Sequence, residues 1–152
     1  MDFDNIQLED VLKKLDNLDP NTKPSWGTMS AQRMVEHLTD TFDLALGKFG
    51  RLALEIPEDK VNKAQAFIRS DKEMPKNFQA KFAPKEYTLR NEDIQLAIDE
   101  LSMRWVDFET FFEENSGLKT MHPNFGELDF DLWKKVISKH IKHHLKQFDL
   151  IE

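Results

Sequence analysis

With 152 residues, 39% hydrophobic and 32% charged, the chain has enough apolar material for one buried core, and no uninterrupted apolar run approaches the roughly 20 residues that span a bilayer. A net charge of -7, from 28 acidic against 21 basic residues, opposes nucleic-acid binding, whose affinity comes largely from cations on phosphates. The absence of cysteine excludes disulfides, thiolate ligands and cysteine nucleophiles, so any bound metal must use nitrogen and oxygen donors.

The acidic start, MDFDNIQLED, lacks the basic head and apolar middle of a secretory signal, which points to the cytoplasm and leaves residues 1–152 as one domain. Residues 6 to 17 set Ile6, Val11, Leu12 and Leu15 at helical intervals, and LDPNTKPSWG, with two prolines and a glycine, then breaks the pattern. Ser30 is placed to cap a helix whose apolar positions (Ala31, Met34, Leu38, Phe42, Ala45 and Phe49) recur every three or four residues until Gly47 and Gly50 weaken it. Residues 57 to 70 open with a proline and two acids, a helix-start pattern. MPKNFQAKFAPKEYTLR, residues 74 to 90, has scattered aromatics and two prolines and predicts an irregular connection.

Residues 91 to 115 carry the clearest seam: Ile94, Ile98, Leu101, Trp105, Phe108 and Phe112 step alternately by four and three. Asn115-Ser-Gly117 ends it, LKTMHPNFGEL forms a loop, and Asp129 is placed to cap the last helix. No segment alternates with period two over strand length. The expectation is therefore an all-α four-helix bundle with a short extra N-terminal helix and one long irregular connection.

SKHIKHHLKQF, residues 138 to 148, holds three of the five histidines. On a helical wheel His140 and His144 fall with Trp133, Val136, Ile137 and Gln147 on the apolar face, Lys135, Lys139, Lys142 and Lys146 fall opposite, and His143 lies at the border. Imidazoles at i and i+4 are close enough to converge on one ion. The same placement suits core histidines hydrogen-bonded to a carboxylate or backbone group, and the spacing alone does not choose. His37 sits mid-helix at the edge of its own apolar stripe, where a partly exposed residue is the plainer reading. Glu36, Asp40 and Asp43 are placed to orient ligands or take protons, although acids on a helix are usually solvated. His122-Pro-Asn-Phe-Gly reads as a rigid turn packing Phe125, Trp26 and Trp133 read as core, and Gln147 is one turn from His144.

PSWGTMSAQRMVEHLTDTFDLALGK and HPNFGELDFDLWKKVISKHIKHHLKQF together resemble DinB-like (YfiT-like) domains, a resemblance that covers most of the chain. It rests on W-G-x-M-S followed by a helical histidine, the H-P-x-F-G loop and the closing H-x-x-x-H-x-x-Q helix. The resemblance implies a four-helix bundle with a divalent metal on His37, His140 and His144, metal-dependent hydrolase or low-molecular-weight thiol S-transferase activity on an unknown small molecule, and a homodimer. Zinc and nickel both suit three imidazoles. Under this reading Asp40 or Glu36 moves protons. The alternative is a non-catalytic helical interaction module; a carrier of apolar ligands is a third reading, prompted by twelve phenylalanines that a core also explains.

Overall fold

In a computed structural model, residues 1–76 and 87–152 are described. The chain is mostly helical: α1 (Leu8–Leu15), α2 (Ala31–Ala45), a 3₁₀ turn (Glu58–Lys60) leading into α3 (Val61–Arg69), α4 (Ile94–Glu114) and α5 (Phe130–Gln147). Part of the expected irregular connection, residues 77–86, lies outside the described residues. Among the described residues no helix is long and apolar enough to cross a membrane.

α2, α4 and α5 start where a side-chain oxygen accepts an otherwise unpaired backbone N–H. Ser30 accepts from Arg33, Asp93 from Leu96 and Asp129 from Leu132, at 2.9 to 3.1 Å. The expected seam of α4 is the buried one: Ile98, Leu101, Trp105, Phe108 and Phe112 are buried together with Ala97, and Ile94 packs partly buried against them. α4 lies chiefly against α2, whose Phe42 ring meets Trp105 and Phe108 at centroid distances of 5.1 and 5.3 Å. α5 packs on α2 and α3, and the short α1 contacts α4.

The all-α expectation needs correction at residues 120–128. There β1 (Thr120–His122) and β2 (Gly126–Leu128) form an antiparallel hairpin with Thr120 opposite Leu128, Met121 opposite Glu127 and His122 opposite Gly126. Strands of three residues are too short to display period-two alternation, which is why the pattern gives no sign of them. Gly126 has φ +82°, and a Cβ there would come within 2.9 Å of a Val61 methyl, so the turn needs glycine on both counts.

The hairpin joins two helices. Trp133, fully buried on α5, donates its indole N–H to Thr120 Oγ1 at 2.8 Å, and that hydroxyl donates to the Ala45 carbonyl at the end of α2, also at 2.8 Å. His122 is buried between the Phe125 and Trp133 rings, and its Nδ1 accepts the Asn124 N–H at 3.1 Å. HPNFG is thus a packed turn, as the sequence suggested.

Burial pushes His122 down to about 3. Below the ordinary imidazole value of about 6.5 the unfolded chain takes up a proton that the folded ring refuses until about pH 3, so this residue costs stability increasingly across that window. The stability of the native chain relative to His122→Gln should therefore fall by about 1 kcal/mol per pH unit between pH 6 and 4 in urea unfolding. A difference that stays flat across that range would show that the ring is not held neutral.

Candidate metal centre

α2 and α5 lie side by side and turn three imidazoles toward one another. His37 Nε2 is 3.0 Å from His140 Nε2, which is 2.9 Å from His144 Nε2. One ligand atom from each of the three lies within 4.8 Å of the others, and this is the only such group of histidines and acids among the described residues. His144 is buried, while His37 and His140 are half-buried. His37 reaches inward because the buried face of α2 is wider than its apolar stripe: Val35, Glu36 and Thr39 are buried as well.

Hydrogen bonds on the far side of two rings decide what the near side offers. Gln147 donates its amide N–H to the Trp26 carbonyl at 3.0 Å, which leaves its oxygen, 2.7 Å from His144 Nδ1, as an acceptor. His144 therefore carries its proton on Nδ1 and presents a bare Nε2 to His140. Thr41 Oγ1 lies 2.9 Å from His140 Nδ1 and 3.5 Å from the His37 carbonyl, so its hydroxyl can pair with that ring nitrogen as donor or as acceptor. The bare His144 Nε2 can accept across 2.9 Å either the Nε2 proton of a neutral His140 or a cation held between the two rings.

An added proton that would charge the cluster is disfavoured. Burial, reinforced by the charge of neighbouring histidines, drives His37 and His140 well below the ordinary imidazole value. Burial takes His144 to about 4, against the opposing bond from Gln147. Neutral rings are what metal ligation requires. Two metal–nitrogen bonds of about 2.0 to 2.1 Å span about 3 Å at a right angle and about 3.3 Å at the tetrahedral angle, close to the His37–His140 and His140–His144 spans of 3.0 and 2.9 Å. Gln147 and Thr41 are the kind of outer partners that orient ligating histidines.

Glu36 and Asp40 are placed differently. The Glu36 carboxylate is fully buried and accepts five hydrogen bonds: from the Tyr87 hydroxyl (2.7 Å), the Arg90 N–H (2.9 Å), Gln32 (3.1 Å), and the backbone and side chain of Asn91 (both 3.2 Å). Burial alone would raise its pKa, but these bonds overcome it and hold the group at about 2. Asp40 pairs with Arg90 at 2.9 Å and Arg33 at 3.4 Å; burial outweighs those charges and raises its pKa from the ordinary aspartate value. Arg33 lies flat over the Tyr87 ring at 3.3 Å, and Arg90 also reaches Glu100 at 2.8 Å. The structure thus brings His37, His140 and His144 together and binds Glu36 and Asp40 into a polar network that ties residues 87–91 to α2.

Thr41, Tyr87 and Arg90 were not legible as site neighbours. Thr41 has one sequence signal, its place one helical turn after His37, whereas Tyr87 and Arg90 sit in an aperiodic segment. His143, expected at the border of the lysine face, packs its ring against Trp26 at 5.3 Å and beside His144 at 4.9 Å, away from the three converging nitrogens.

The family model that matches residues 1–150 is described as a protein of unknown function, DUF1569. No curated protein and no solved structure matches the chain. This corrects the expected placement among DinB-like (YfiT-like) domains: the match extends over nearly the whole chain and is to a family whose description assigns no metal and no activity. The three histidines stand on their own geometry.

Removing the Glu36 carboxylate strands five donors. Glu36→Ala should cost about 3 kcal/mol or more in urea unfolding, whereas Glu100→Ala, which loses a partly exposed ion pair, should cost less than about 1 kcal/mol. Equal losses would mean that the buried carboxylate does not organise the segment.

Proposed function

The chain belongs to the DUF1569 family, whose description assigns no activity, and from the site itself we propose that it is a divalent-metal-binding four-helix bundle acting as a metal-dependent hydrolase. The observation that carries the metal reading is the meeting of the His140 and His144 Nε2 atoms at 2.9 Å, with the His144 proton held on the opposite nitrogen by Gln147. Zinc or nickel suits three imidazoles at this spacing. When bound on three neutral ligands, such an ion keeps positions open for water or substrate and lowers the pKa of bound water toward 7.

The chain's own residues divide the work. His37, His140 and His144 would hold the ion, while Gln147 and Thr41 orient two of the rings. Asp40, whose pKa burial raises, is the better candidate for moving a proton, since the five hydrogen bonds to Glu36 hold that carboxylate ionised. Arg33 contributes positive charge that favours an anionic group on the substrate. Thiol transfer rested on the resemblance alone and gains no residue-level support.

Purified without an affinity tag and reloaded with zinc or nickel, the protein should bind about one equivalent of metal per chain. His140→Ala should abolish stoichiometric binding, and Gln147→Leu should weaken it about 10- to 100-fold in a competition titration. Less than about a tenth of an equivalent, unchanged by His140→Ala, defeats the metal reading. If the ion binds but accelerates no hydrolysis across activated esters, amides and phosphoesters, the enzyme reading fails and a metal-stabilised interaction module replaces it.

A further inference from the structure

The outer face of α5 and the segment that follows α3 enclose a groove of about 650 Å³. Its lining holds seven lysines and one arginine against four acids, in a chain whose net charge is -7. None of the three converging histidines lines it; His143 and Trp26 close one end. Like charges gathered in a concave wall concentrate the field and attract counter-ions far more strongly than the same charges dispersed.

Part of that charge is already answered. Glu73 pairs with Lys142 at 3.7 Å and contacts Lys146, and Lys139 donates to the carbonyls of Ser70 and Lys72. Among the described residues the other three acids of the lining form no ion pair with a lysine, and Lys72 and Lys135, both exposed, face no carboxylate at ion-pair distance. Lys76 lies 4.3 Å above the Trp26 ring. A surplus of ammonium groups calls for an anionic acceptor.

We propose that this groove is a binding site for a small molecule bearing two or more phosphate groups, held by Lys72, Lys76 and Lys135. Phosphate fits better than carboxylate because the cationic groups of the lining are seven lysines and a single arginine. Ammonium groups act as point charges on phosphate oxygens, whereas planar carboxylates favour the bidentate fork of arginine. The volume lies within the range of small-molecule sites. The site does not depend on the metal centre: the two share α5 but use opposite faces of it.

Inorganic tripolyphosphate is the probe, added to full-length protein that has been stripped of metal with a chelator and then dialysed. Isothermal titration calorimetry should show one saturable site. Trp26 emission should change on binding, because Trp105 and Trp133 are buried away from solvent. Lys72→Glu/Lys135→Glu should weaken binding at least tenfold, while the equally large charge reversal Lys48→Glu/Lys60→Glu, outside the groove, should leave it within about twofold. Trp26→Phe should remove the emission change. His140→Ala should bind tripolyphosphate as the native chain does, so a failed metal centre leaves this result standing. The proposal is overturned by an absence of saturable binding, by equal weakening in both double variants, by loss of binding in His140→Ala, by citrate binding as tightly as tripolyphosphate, or by affinity for single-stranded oligonucleotides that exceeds it and grows with length.

Discussion

A carboxylate sealed from water has to be given hydrogen bonds, and Glu36 obtains them by drawing a distant stretch of chain onto α2. Tyr87, Arg90 and Asn91 lie more than fifty residues away, yet their donors converge on the two oxygens of this one side chain. Arg90 then reaches on to Asp40 and Glu100, and Arg33 lies across Tyr87, so α2, α4 and the intervening segment are joined through a single buried charge. His37 is the next residue after Glu36. The ring's approach to α5 is set on a backbone that this network immobilises, which explains how a histidine at the margin of an apolar stripe becomes part of a buried cluster.

α5 divides its chemistry between two faces. Residues on the inner face carry nitrogen donors among apolar neighbours, where burial keeps imidazoles neutral. Residues on the outer face carry ammonium groups whose long stems cover apolar surface while their heads line the groove. Neutral ligands and permanent cations would be incompatible if mixed, since each lysine placed near the imidazoles would oppose a bound dication. The helical repeat keeps them on opposite sides with His143 at the divide.

Much of the helical framework was legible because the pattern and the caps agree. The α4 seam from Ile98 to Phe112 is the buried one, and Ser30 and Asp129 cap the helices they precede. The apolar pair His140 and His144 was legible for the same reason, an i, i+4 spacing on a hydrophobic face. Glu36 was not: an acid beside His37 looks like a solvated residue until partners with no periodicity arrive from residues 87–91. The hairpin was invisible because its strands are three residues long and its strongest signal, Gly126, reads equally well as a loop glycine. Gln147 was visible as a neighbour of His144, but its grip on Trp26, which settles the direction of its amide and hence the imidazole tautomer, belongs to tertiary structure.

The clasp formed by Trp133, Thr120 and Ala45 has a bearing on how the two histidine-bearing helices behave without an ion. One end of α2 is tethered to the start of α5 through that hydroxyl, and the loop before α2 is tied to the end of α5 by the Ser25 N–H on the Gln147 carbonyl and by Gln147 on Trp26. With both ends moored, the interhelical gap is kept open by protein bonds alone. The approach of the three imidazoles is thus built into the scaffold, and no ion is required to draw the two helices together.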